Sequence, residues 1–165
     1  MGNSFGTTVG RALALFVFAV GLTGCGAIYD SIVPPPPDDR QNIAFYFAQD
    51  EYEQGLVMRA ARGGEPKVYT QQKPIIEGPD IKMAMPMKDA AGYFFVGVQL
   101  NDSGTRKLAQ ATPSMIGKHL ALIVDGRLFG AALIDGPIDK GTFAMPTADK
   151  NAAFVLSDLL SPSSP

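Results

Sequence analysis

Three methionines occupy alternate positions in the segment IKMAMPMK, as Met83, Met85 and Met87. An extended backbone sends alternate side chains to one side, so this spacing would gather three thioethers on a single face. Soft thioethers suit Cu(I). Methionine is equally a flexible, polarisable residue fitted to irregular contact surfaces, and no histidine or cysteine stands in the segment to complete a soft-metal set. Contact with a polypeptide is therefore the expectation for Met83, Met85 and Met87, with metal (copper) handling as the alternative. Phe129, in a later apolar run, joins them as a contact candidate.

The other chemistry-bearing residues are sparse. His119 is the only histidine of the chain, which removes any two-histidine relay or histidine metal cluster. Within GKHLALIV it reads as a strand-edge residue, with no partner motif for a general base. Ser103-Gly104 and the terminal serines lack a G-x-S-x-G setting. Asp50, Glu51 and Glu53 crowd one turn and Asp135 and Asp139 flank GPI in another. Neither spacing matches a calcium loop, and solvated turns account for both. Cys25 is the only cysteine, so an intramolecular disulfide, a four-cysteine zinc site and CxxC redox chemistry are excluded. No catalytic residue, resident metal or cofactor is expected.

Cys25 has a setting of its own. Arg11 supplies a charged start, ALALFVFAV an apolar stretch of nine residues, and GLTG a small-residue segment directly before the cysteine. That order is the anatomy of an export signal, and the apolar run is well short of the ~20 residues a spanning helix needs. LTGC also resembles the bacterial lipobox, whose cysteine receives a lipid through its sulfur and becomes the first residue of the mature chain. By that resemblance residues 1–24 are a lipoprotein signal peptide and Cys25 is the palmitate-bearing anchor to the membrane. Gly26, where Asp would retain such a lipoprotein at the inner membrane, points to the outer membrane of a two-membrane cell, with the domain facing the periplasm. Residues 25–41 then form a linker, because Pro34 to Pro37 favour an extended polyproline helix rising ~3.1 Å per residue. Asp38 and Asp39 beside the prolines argue against a proline-rich ligand, which usually carries basic neighbours.

The chain of 165 residues, 46% hydrophobic and 18% charged, suits one domain plus appendages. A formal charge of −2 provides no broad positive field, so nucleic acid is not an expected partner. The domain is expected over 42–160, with 161–165 a disordered tail.

The elements that must position the methionines are legible as runs and punctuation. NIAFYFAQ reads as a strand, and GLVMRAARGGEPKVYTQQKPII as two antiparallel strands around the turn signal RGGEP. YFFVGVQL, residues 93–100, is a strand followed at once by a helix that Asn101, Asp102 or Ser103 would cap, Leu108 and Ala111 would face inward, and Pro113 would end. In HLALIVDGRLFGAALI two apolar runs flank Asp125-Gly126, the pair a two-residue type I′ hairpin turn prefers because both positions need positive φ. TADKNAAFVLSDLL predicts a last helix with Thr147 as its cap and Ala152, Val155, Leu156 and Leu159 on its inner face.

This order of segments resembles the head part of the first periplasmic region of SecD, the membrane subunit of the bacterial protein-export machinery. Pro74, Ile75, Ile76, Gly78, Asp80, Ile81 and Ala84 fit the first part of the family pattern; Gly117, Lys118, Leu120, Ala121, Val124, Asp125 and Gly126 fit the second. The resemblance runs over about residues 43 to 160. The chain departs from it at Gly130, Ala131 and Ala132, where the family return strand runs into SAP, at Lys140-Gly141 in place of a paired glycine, and at TFAMP in place of a glycine-bearing strand. Beyond residue 24 no apolar run approaches a membrane span. What the resemblance implies is a fold and contact with other polypeptides, without energy coupling. The expected fold is α+β, a single antiparallel sheet of about five strands with two helices packed on one face. The expected function is a non-catalytic, lipid-anchored envelope module that binds a polypeptide or an envelope protein complex, by strand-edge pairing and exposed apolar side chains, in connection with protein export.

Overall fold

The computed structural model describes residues 42–161; Cys25, the expected signal and linker, and residues 162–165 of the expected tail lie outside the described residues. The period-two run IAFYFAQ forms β1 (Ile43–Gln49). It buries Ile43, Phe45 and Phe47 on one face, as alternation in a strand requires. β1 pairs with β7 (His119–Val124), which turns through Asp125-Gly126 into β8 (Arg127–Leu133). Asp125 and Gly126 have φ of 49° and 79°, the double positive φ that a two-residue type I′ turn demands. On its other side β1 pairs with β3 (Lys67–Thr70) and with the two-residue β4 (Ile76–Glu77), and β3 pairs with β2 (Val57–Ala60). This sheet has the order β2-β3-β1-β7-β8 with β4 beside β1, antiparallel throughout.

A second antiparallel sheet has the order β5-β6-β9, from Ile81–Lys88, Phe94–Leu100 and Thr142–Pro146. The α+β class stands, but the expected single sheet is replaced by two. IKMAMPMK is itself a strand, and TFAMP, though it carries no glycine, is the third strand of this sheet. Val96 and Val98 are fully buried opposite Pro86 and Ala84 on one side and Met145 and Phe143 on the other. Strand identity is visible in a sequence as alternation, whereas partner choice depends on which buried faces match across a sheet.

Both helices contribute to the one large core, which joins Phe45, Leu120 and Leu122 of the first sheet to Val96, Val98 and Met145 of the second. α1 (Asp102–Ala111) is capped by Asn101, whose side chain accepts from Gly104 N, and it inserts Leu108. α2 (Lys150–Leu160) is capped by Asp149, which accepts from Ala152 N at 2.8 Å, and not by Thr147, whose hydroxyl donates to Phe94 O. Of the expected inner positions Leu156 is buried and Leu159 packs against the core, Val155 is exposed, and Ala153, Ser157 and Leu160 complete the buried face. A smaller cluster of Ala48, Val68, Ala121, Ile123 and Leu128 fills the opposite face of the first sheet. That sheet curls until β2 approaches β8. Arg59 closes the approach, donating to Gly126 O at 3.2 Å with its guanidinium 5.7 Å from the Tyr46 ring centre.

Candidate functional site

The register of the second sheet sets three rows across its outer face. Met83 stands opposite Gln99 and Thr142, Met85 opposite Gly97 and Ala144, Met87 opposite Phe95 and Pro146. The inner partners of the same strands face the core, so these rows are the solvent side. Met83, Met85 and Met87 are 38%, 46% and 45% exposed. The sequence expectation that the three thioethers share one side is met.

At its centre the middle row has no side chain of its own. Gly97 has no side chain, and a Cβ placed there would come within 2.8 Å of Met87 Sδ, so the Met87 thioether lies across the Gly97 backbone. Between the methionines and Phe95, Gln99, Thr142 and Ala144 this leaves a shallow groove of about 380 Å³. Its side chains are apolar except for Gln99 and Thr142. Three thioethers with rotatable stems beside Gly97 give the groove flexible, polarisable walls.

Docking by strand-edge pairing is disfavoured on β5. Its outer edge carries Pro86, which has no N–H to offer, and lysines at 82 and 88, devices that discourage pairing with another chain. The face is open and the edge is guarded, so contact through side chains is the geometry available.

Phe129 is not part of this groove. It is 46% exposed at the irregularity in β8 where the register jumps from Leu122↔Gly130 to Ile123↔Leu128. There it lines a separate cleft with Arg62, Asp125 and Arg127 on the first sheet. Asp125 and Gly126 are turn residues, as expected. His119 opens β7, with Nδ1 3.8 Å from Asp50 Oδ1, beyond hydrogen-bond reach. Asp135 and Asp139 lie within the loop between β8 and β9 and border a cleft of about 430 Å³. Among the described residues no three His, Cys, Asp or Glu side chains converge on a metal-sized space, and no helix is long and apolar enough to cross a membrane.

Sequence reasoning found the methionines and missed the floor. Phe95, Gly97 and Ala144 belong to runs that read as ordinary strands, and only the register places them beside the thioethers. The one available signal was Gly97 itself, since a glycine inside a strand often marks close approach by another group.

The fold has counterparts. Residues 54–161 match the family model of the SecDF P1 head subdomain. The protein translocase subunit SecD of Acidaminococcus fermentans is 31% identical over 78 residues, covering 47% of this chain and 18% of that protein. SecD of Sebaldella termitidis is 36% identical over 67 residues, covering 41% of this chain and 16% of that protein. The chain thus spans less than a fifth of the length of these relatives. A solved structure of SecDF, a membrane component that enhances protein export, superposes with a TM-score of 0.53 at 17% identity, over 76% of this chain and 69% of that one. The match runs from the end of the first turn through α2 and takes in every residue of the methionine groove: the chain belongs to the SecDF P1 head subdomain family.

Proposed function

We propose that this chain is a non-catalytic, lipid-anchored envelope protein whose head domain receives extended, apolar segments of non-native polypeptides during protein export. The observation that carries the reading is the exposed methionine groove lying within a head-subdomain match. The relatives are translocase subunits, and the SecDF neighbour enhances protein export; a head of this kind would supply the polypeptide-contacting part of that work. Thioethers support the reading because they pack against many side chains without demanding one shape. Attachment through Cys25 and the proline linker would position the head at the membrane, and Gly26 directs the lipoprotein to the outer membrane.

The test is fluorescence titration of the protein with a permanently unfolded polypeptide, reduced and carboxymethylated α-lactalbumin. Saturable binding that weakens at least tenfold when Met83, Met85 and Met87 are all changed to glutamate supports the groove, and binding indifferent to those changes removes it. Titration with Cu(I) under reducing conditions tests the metal alternative. Submicromolar Cu(I) binding abolished by the same three changes would replace the polypeptide reading.

A further inference from the structure

We infer that the methionine groove is a site of reversible oxidation, and that converting its thioethers to sulfoxides turns polypeptide docking off. The inference rests on the docking reading above and adds its regulation. Oxidation follows exposure of the sulfur. Met83, Met85 and Met87 are 38%, 46% and 45% exposed on one face, whereas Met145, on the inner face of the same sheet, is fully buried at 0%. The sheet thus separates three reachable thioethers from a protected one within a single fold.

A two-electron oxidant of the peroxide class supplies the oxygen. The thioether sulfur attacks the peroxide, the O–O bond breaks, one oxygen atom stays on sulfur as S=O, and the other leaves with two protons as water. Sulfur is oxidised and peroxide reduced. A dithiol reverses the step through a sulfoxide reductase, leaving the thioether, water and a disulfide on the dithiol.

The groove is built so that this change matters. Each sulfoxide places a strong acceptor on a surface whose only side-chain polar groups are those of Gln99 and Thr142. An apolar occupant would bury three S=O groups with only Gln99 and Thr142 among the groove's side chains able to donate to them, which disfavours docking. At Met87 the effect is sharper, because its sulfur already lies against the Gly97 backbone, where a Cβ would come within 2.8 Å, and an added oxygen forces the side chain off its seat. The fold itself is insulated, since none of the three sulfurs is in the core cluster.

The experiment treats the full chain with hydrogen peroxide, maps oxidised peptides by mass, and titrates the same unfolded α-lactalbumin probe. Oxygen addition at Met83, Met85 and Met87 but not Met145, at least tenfold weaker binding, unchanged thermal unfolding and recovery on incubation with a methionine sulfoxide reductase and dithiothreitol are expected. Met58 is also exposed, at 59%, and the Met58→Leu variant must behave as the unchanged chain does. In the variant Met83→Leu, Met85→Leu, Met87→Leu, the affinity measured before peroxide, whatever its level, is expected to be the same after peroxide. Loss of binding on peroxide in that triple variant, or full binding by the mapped, oxidised chain, overturns the switch. Absence of binding before any peroxide is added instead overturns the docking reading, and the peptide map still reports whether the groove is the oxidised site.

Discussion

Lys107 of α1 donates to Asp80 of the Gly78–Asp80 turn at 2.6 Å, and the Asp80 side chain, 8% exposed, also accepts from Glu77 N at 3.1 Å. One carboxylate thereby joins the helix that follows β6 to the turn that precedes β5. Asn101 reinforces the junction from the helix cap, donating through its side chain to Pro79 O and through its backbone to Asp80 O. Asp80→Ala strands a backbone donor and an ammonium at once and is expected to cost about 2 kcal/mol. Lys107 is 40% exposed, so water takes over part of its role and Lys107→Ala is expected to cost about 1 kcal/mol. Urea unfolding of both variants checks the order, and an Asp80→Ala variant as stable as the parent would show that the junction does not hold the fold.

Gly141, just before β9, has φ of 66° and lies so close to α1 that a Cβ would overlap the Thr105 hydroxyl and come within 2.9 Å of Thr105 Cβ. Its carbonyl also accepts from Leu100 N at 2.8 Å. Gly141→Ala must strain the backbone and push the helix at the same time, with an expected loss of about 3 kcal/mol. Thermal unfolding that shifts by less than a degree would show that the loop yields more easily than the packing implies.

Gly97→Ala separates stability from the groove. The new methyl meets the far end of a flexible side chain, so Met87 moves aside and stability is expected to stay within about 1 kcal/mol of the parent. The floor is raised, however, and binding of the unfolded probe is expected to fall several-fold. Calorimetric unfolding and fluorescence titration of the one variant read the two effects independently.

Cys25 is tested in cells that process lipoproteins. Radiolabelled palmitate is expected in the unchanged protein and absent from Cys25→Ser. Label that persists in the variant sinks the anchor.

A good part of the fold was readable from particular residues. Asp125-Gly126 announced its hairpin because so few residue pairs accept two positive φ angles in succession. Asn101 and Leu108 announced α1 through a side-chain cap and one inward position. These signals are local, so they survive any tertiary arrangement. The last helix was legible in existence and misplaced in detail: Thr147 and Asp149 both have capping side chains, and Thr147 was taken by Phe94 O across the sheet. The most buried positions are Ala153, Leu156, Ser157 and Leu160, with Leu159 packed at the edge of the core, because packing against the sheets and not the cap sets the inner face.

By itself the sequence determined the α+β class, the alternation that gathers Met83, Met85 and Met87 on one side, and the segment pattern of the head family. Each of these follows from backbone geometry or from residue order within a short window. The tertiary structure decided that there are two sheets, that Gly97 and Phe95 floor the methionine groove, that Phe129 lies at a different cleft, and that Arg59 spans from β2 to Gly126. The pairing of β6 with β9 and the reach of Arg59 to Gly126 join segments tens of residues apart, and even the nearby β5–β6 pairing depends on a register that no single run displays. They are set by which buried faces match when β6 takes β5 and β9 as partners, a choice made by packing across strands and written in no single stretch of chain.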